Sequence, residues 1–282
     1  MSKINPYRIT PPFVVSFSGG RSSAFMLHNI LDAYDGKLPE DGIVTFSNTG
    51  KEMPETLDFV KECGERWGVD IVWLELRVEP YFGKRKGKKW NYSHKVVSYD
   101  SASRNGEPFS DLIKARKYTP NIMARFCTQE LKIKRIAEYA ENKFKTSDYY
   151  TTIGLRADEP ERVLRIREQK EQENIAPMYE AGHTLNDVLL FWSLSDFDLE
   201  LRSNNGVTDL GNCDLCFLKG PRKKLSIIQQ KPHLAEWWIK QEENGKLFRA
   251  DQPSYSEMLE YSKAQGELFP EIPDVQCIGC TD

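Results

Sequence analysis

Six cysteines punctuate the chain: Cys213 and Cys216 form one C-x-x-C pair, Cys277 and Cys280 form another, and Cys63 and Cys127 stand alone. Thiols with two residues between them converge on one metal ion or one redox centre. In a chain read as intracellular they argue for metal or redox chemistry rather than structural disulfides. Cys63 differs, because within "ETLDFVKECGERWG" it shares a helical face with Phe59 and reads as a small core hydrophobe. A second stretch able to do chemistry is "VVSFSGGRSS", residues 14–23. A glycine pair flanked by serines follows directly on a run of β-formers and precedes the apolar face of a helix (Ala24, Phe25, Met26, Leu27, Ile30, Leu31). Such a strand-to-helix turn presents backbone N–H groups at the positive end of a helix dipole, and glycine lets an anion approach them closely. Phosphate is the ligand that fits; a plain turn with Ser18 as N-cap is the alternative. Without a Walker lysine or a three-glycine spacing, N–H and hydroxyl groups would do the holding.

These residues need elements to position them. The first strand and helix are followed by a strand in "DGIVTFSNTG" (41–50), a helix opened by Pro54, and a strand in "VDIVWLELR" (69–77). Strands alternating with helices at this spacing imply a doubly wound parallel α/β sheet, with ligands at its carboxyl edge. Residues 78–124 interrupt the rhythm and read as an insertion over that edge. A helix over 127–144 and a strand, glycine turn and charged segment in "YYTTIGLRADEPERVLR" (149–165) complete a nucleotide-binding domain of residues 1–169, and the strand delivers Arg156 to the same edge. Residues 170–282 read as a helical, cysteine-bearing subdomain.

Net charge is −3, so the whole-molecule field does not advertise nucleic-acid binding. Lys84, Arg85, Lys86, Lys88 and Lys89 nevertheless run into Trp90, Tyr92, His94 and Lys95, and cations interleaved with aromatics grip phosphates and stack on bases. The stretch 84–95 is therefore a nucleic-acid contact or a solvated loop. No apolar run approaches the ~18 residues of a membrane helix, and Met1 to Thr10 shows no signal-peptide core, so a cytoplasmic location is expected.

Four separated motifs resemble the phosphoadenosine phosphosulfate (PAPS) reductase family of the PP-loop, adenine nucleotide α-hydrolase-like superfamily: "SFSGGRSS", "FSNTGKEMPETLDFV", "RFCTQELKIKRI" and "GLRADEPER". The resemblance implies an adenine nucleotide, ATP or PAPS, held by Ser16, Ser18, Gly19, Gly20, Arg21, Ser22 and Ser23, by Asn48, Thr49 and Gly50, and by Arg156 and Arg162. Arg156 and Arg162 suit bidentate contact with phosphate or sulfate, while exposed pairing with Asp158, Glu159 and Glu161 is the competing role. Ser22 and Asn48 stand where the family carries acids, which weakens the expectation of bound Mg²⁺.

Under the same resemblance, Cys127, Cys213 and Cys216, with Cys280 or Cys277, would hold a 4Fe-4S cluster; by ligand type alone zinc fits equally. Phe126 replaces one cysteine of the family's double-Cys site, so a tail thiol supplies the fourth ligand or one iron stays open. Cys277 or Cys280 could alternatively act as the catalytic nucleophile, with a thioredoxin-like reductant or a sulfur donor as partner. The expected function is an enzyme of sulfur metabolism. It is either a transferase that thiolates tRNA or DNA or an oxidoreductase that reduces a sulfonucleotide. The competing reading is a non-catalytic nucleotide-binding module with a structural zinc.

Overall fold

A computed structural model of the protein describes residues 5–83, 89–168, 173–204, 207–243 and 246–264. The basic run 84–88 and both tail cysteines, Cys277 and Cys280, lie outside the described residues. β1 (Phe13–Ser16) leads into α1 (Arg21–Ala33), β2 (Gly42–Ser47) into α2 (Pro54–Trp67), and β3 (Ile71–Pro80) into β4 (Trp90–Val97). After α3 (Glu107–Arg116), a π-helical stretch at Thr128–Ile133 runs into α4 (Lys134–Phe144) and then β5 (Tyr150–Ile153). α5 (Pro160–Arg167), β6 (Glu173–Ile175), α6 (Pro177–Ala181) and α7 (Leu185–Leu194) follow. A short hairpin of β7 (Ser203–Asn204) and β8 (Val207–Thr208) precedes α8 (Pro221–Gln230), α9 (Ala235–Glu243) and α10 (Tyr255–Ala264).

The main sheet has the order β4-β3-β2-β1-β5-β6. All of its pairings are parallel except that of β4 with β3. Along β1 the side chains alternate, as strand geometry requires. Phe13 and Val15 enter a core beneath α1 and α2, while Val14 enters the opposite core with Ile136 and Ala140 of α4. Burial on both faces explains why β1 reads as an apolar run rather than an alternating one.

Two expectations need correction. The stretch 78–124, expected as an insertion over the sheet edge, begins within the sheet itself: β3 continues to Pro80 and β4 pairs antiparallel with it, Leu76 with His94 and Val78 with Tyr92. β4 lies at the edge of the sheet, with Trp90 to His94 all half-buried, Lys95 and Val96 exposed and Val97 buried. The helical region begins one strand later than position 170, because β6 adds to the sheet beside β5.

A second core joins α3 to α8, α9 and α10 through Phe109, Leu112, Ile228, Trp238, Phe248 and Tyr255. Cys127, Cys213 and Cys216 pack half-buried against this core. Trp238 is its fully buried anchor, stacked on Tyr255 at 5.2 Å and donating from Nε1 to Asp214 Oδ1 at 2.8 Å. Trp238→Ala should cost about 3–5 kcal/mol in urea unfolding, and Trp238→Phe, which leaves Asp214 one donor short, about 1–3 kcal/mol. Equal losses for the two variants would show that ring packing is not what holds the layer.

Candidate nucleotide and thiol site

The strand order reverses between β1 and β5, so a crevice opens above their carboxyl ends, where open α/β sheets take ligands. Gly20 stands there in extended conformation (φ −103°, ψ 163°), and no side chain caps the first turn of α1. The positive end of that helix is thus available to an anion. Gly19 has φ +81°, and a Cβ there would lie 2.7 Å from Thr56 Cγ2; both conformation and space require glycine. Gly154, after β5, lets the backbones meet, since a Cβ on it would sit 3.0 Å from Ser23 Cα.

The serines divide the work. Ser23 is buried, donates to the Gly20 carbonyl at 2.9 Å and lies 2.9 Å from the Ser18 hydroxyl, which folds the loop on itself. Ser22 Oγ accepts from Arg156 Nη1 at 3.1 Å, so Arg156 does reach the loop, while its Nε is held by Asp158 at 3.0 Å. Arg162 is turned inward onto Glu159. Ser16 ends β1 inside the parallel ladder, opposite Thr45 and Ile153.

Arg21 is positioned differently from expectation. Its guanidinium makes a bidentate pair with Asp198 (2.7 and 2.8 Å) and donates to the Leu199 carbonyl at 2.5 Å. It ties a wall to the loop. That wall, Leu199 with Thr208, Gly211 and Asn212, closes a narrow cleft over Ser18, Gly19 and Gly20. At about 10 Å³ the enclosed part holds about one water, so a bound phosphate requires the wall to give way.

The second motif is a self-contained turn. Asn48, fully buried, donates to Glu75 at 2.7 Å and to the Ser103 carbonyl at 2.8 Å, and its Oδ1 accepts from Gly50 N–H at 3.1 Å. Thr49 donates its N–H and hydroxyl to Glu52 at 2.8 and 2.9 Å. Asn48, Thr49 and Gly50 therefore shape the turn through groups already engaged within the protein, and the crevice receives little from them directly.

On that turn docks the C-x-x-C loop. Cys213 bridges Glu52 in antiparallel fashion, Asp214 N–H donates to the Lys51 carbonyl at 2.9 Å, and Lys51 Nζ meets Asp214 Oδ2 at 2.9 Å. Lys219 closes the loop by donating to the carbonyls of Gly211 (2.9 Å) and Cys213 (2.7 Å). Cys213 Sγ lies 3.5 Å from Thr49 Oγ1. Burial, followed by the charge of Glu52, pushes the Cys213 thiol well above its ordinary value, with Lys132 acting in the opposite sense. Burial of this kind works against the thiolate, the form of cysteine that acts as a free nucleophile. Cys63 is fully buried, and burial raises its thiol too, as a packing residue should behave.

Three thiols thus border one apolar core and offer the soft donors that iron or zinc prefers. Among the described residues no three of His, Cys, Asp or Glu form a group able to hold a metal ion, Cys127, Cys213 and Cys216 included. Glu52, Lys51, Asp214 and Asp198 escaped the sequence reading, which took Gly154 as a turn residue without its close approach to Ser23. Only Glu52 carried a local signal, standing three residues after Thr49 as in a capping box.

The arrangement defines a class of protein: an α/β fold whose serine-glycine loop aims a helix N-terminus into the switch-point crevice. Residues 12–186 match the phosphoadenosine phosphosulfate reductase domain, and the chain belongs to that family. It is 33% identical over 215 residues to an uncharacterized nin region protein, ORF290, of Escherichia phage lambda, covering 74% of this chain and 67% of that one. An uncharacterized Methanocaldococcus jannaschii protein, MJ0066, is 28% identical over 178 residues, and the match spans 61% of this chain but only 30% of that protein. Among solved structures, the U34-tRNA thiolase NcsA of Methanococcus maripaludis with its 4Fe-4S cluster aligns with 96% of this chain and 77% of its own, at 14% identity and a TM-score of 0.33.

Gly19→Val should abolish nucleotide binding in calorimetry while the chain remains folded. Its expected cost is about 1–2 kcal/mol for the backbone and about 1–3 kcal/mol for overpacking. Unchanged affinity would remove the loop from the site. A second expectation concerns Lys224, buried on α8, where burial lowers its pKa to about 8 and the Arg249 charge lowers it further while Cys216 and nearby carboxylates oppose. Below pH 8 the lysine is charged in both folded and unfolded chains, and the destabilisation, of order 3 kcal/mol, is fully present. As pH rises from about 8 towards the unfolded value the folded chain gives up its proton first, so this group's contribution to stability increases. Urea midpoints of wild type relative to Lys224→Met should therefore rise between pH 7 and about 9.5; a constant difference would contradict the shift.

Proposed function

We propose that the protein is an adenine-nucleotide-dependent sulfur-transfer enzyme, with ATP as the activating nucleotide and a nucleic acid as the sulfur acceptor. The observation that carries this reading is a juxtaposition. The wall of the phosphate cleft, Thr208 to Asn212, runs directly into Cys213, so an activated group and a thiol-based centre are one chain segment apart. Membership of the PAPS reductase family supports nucleotide-using sulfur chemistry.

The steps follow from the donors at hand. N–H groups of the serine-glycine loop and the first turn of α1 would receive the ATP phosphates, with Arg156 beside Ser22 neutralising charge. An acceptor oxygen attacks the α-phosphorus, the bond to the bridging oxygen breaks, and pyrophosphate leaves. A persulfide-level sulfur donor then displaces AMP from the adenylated acceptor; its remaining sulfur–sulfur bond is cleaved by an external thiol, which ends as a disulfide. Cys127, Cys213 and Cys216, with Cys280 or Cys277, would hold a 4Fe-4S cluster, or zinc in its place. Such a cluster supplies a Lewis-acidic iron or a site that binds sulfide.

Two measurements on protein purified without oxygen test the reading. Iron, sulfide and zinc are determined for wild type, Cys213→Ser and Cys63→Ser, and pyrophosphate release from ATP is followed with tRNA and DNA acceptors. Iron and sulfide in wild type and Cys63→Ser, lost in Cys213→Ser, with acceptor-dependent pyrophosphate release, is the expected result. Zinc with nucleotide binding but no turnover would make the protein a nucleotide-binding module. Release of adenosine 3′,5′-bisphosphate from PAPS, with ATP inert, would place it among the reductases instead.

A further inference from the structure

A second cavity, of about 270 Å³, lies beside the phosphate cleft, between α8 and the residues flanking the β7–β8 hairpin. From α8 it receives Lys223, Ser226, Ile227 and Gln230, spaced i, i+3, i+4 and i+7 and hence on one helical face. Arg202 and Leu210 face them. Lys231 joins at the end of α8, so three cations meet a single lining carboxylate, Asp209, 3.5 Å from Lys223. Lys231 reaches Glu55 at 3.7 Å, a long and partly exposed contact. Arg202 is exposed and makes no ion pair among the described residues. Positive charge in excess, with a hydroxyl and an amide over an apolar floor of Leu210 and Ile227, suits a phosphate group carrying a less polar body.

The location adds to the chemistry. Asp209 and Leu210, which line this cavity, are the residues between Thr208 and Gly211, which line the phosphate cleft. On the other side Glu55, the partner of Lys231, precedes Thr56 of the cleft. One strand of chain separates the two hollows. The volume is near the lower end of small-molecule sites, about 300–1,000 Å³, enough for one nucleotide-sized group and too small for a duplex.

We propose that this cavity is a second anion site that anchors a phosphate of the sulfur acceptor, separately from the activating nucleotide. The acceptor is a nucleotide unit, either free or within a single strand. Its identity as the acceptor rests on the sulfur-transfer reading above, whereas phosphate binding by the cavity does not. Anchoring here would hold the acceptor against the segment that ends in Cys213.

The full-length protein and the double variant Arg202→Gln/Lys223→Gln are titrated with thymidine and uridine 5′-monophosphates, with 5′-phosphorylated single-stranded DNA and RNA oligonucleotides, and separately with ATP. Both side chains are in contact with solvent, so the variant should fold, which circular dichroism verifies. At about 0.1 M salt the variant should bind the strands at least about tenfold more weakly, with the slope of log K against log salt reduced by about 0.7 for each phosphate that the variant no longer neutralises. ATP affinity should remain within about twofold. If the monophosphates show the same loss, the source is a free nucleotide; if only the strands do, it is a polymer. Equal binding of the phosphate probes by variant and wild type, or binding by neither, overturns the proposal. Selective loss of strand binding in a protein that never binds ATP would uphold the cavity and refute the sulfur-transfer reading.

Discussion

The buried pair of Lys51 and Asp214 joins the two halves of the molecule. Lys51 belongs to the turn after β2, Asp214 to the C-x-x-C loop, and both side chains are almost completely withdrawn from water. Neither charge tolerates that environment alone: removing one partner of a buried pair typically costs about 3–5 kcal/mol. The surroundings meet the remaining demands, since Asp214 Oδ1 accepts from Trp238 Nε1 and Lys51 Nζ lies 5.1 Å from the centre of the Trp237 ring. Through this contact the helical layer, the cysteine loop and the turn that closes on Glu52 share one register, so Cys213 cannot shift without disturbing the turn beside the crevice.

The phosphate cleft is organised by a different economy. Its donors are backbone groups at a helix terminus, while most of the polar side chains around it are spent on internal architecture. Arg21 holds Asp198, Asn48 holds Glu75, and Thr49 holds Glu52. Where the resembled motif carries an acid, Asn48 instead donates to the buried side chain of Glu75, one strand away. The wall tied down by Arg21 nearly fills the cleft, so under the proposed function a nucleotide entering there would have to displace the segment leading to Cys213.

Much of the α/β half was legible because its signals are local. β1, α1, β2 and α2 announce themselves by apolar periodicity, Pro54 and the Gly68 stop, all within windows of a few residues. β4 was harder, since basic and aromatic residues suggested a ligand surface; in the described part, Tyr92 lies 5.7 Å beneath the Arg116 guanidinium and the His94 N–H donates to Glu138. Those partners come from helices far along the chain. Ser18 and Gly19 line the cleft and Arg156 reaches Ser22, positions that follow from the local strand-turn-helix pattern, whereas the pairing of Arg21 with Asp198 depends on a residue 177 positions away.

What the sequence determined by itself is the set of short-range commitments: the strand-turn-helix around Ser18 to Ser23 with its glycine pair at the turn, and a cysteine pair at the spacing of a soft-ligand loop. These follow from backbone sterics and side-chain period, which operate over a few residues. Only the tertiary structure decided which polar groups are free to meet a ligand. It paired Arg21 with Asp198 and Lys51 with Asp214, set Cys213 against Glu52, and gathered Arg202, Lys223 and Lys231 around one cavity. The reason is that a charge or hydrogen-bonding group takes its partner from whatever folding brings within about 3 Å, and sequence separation places no limit on that choice.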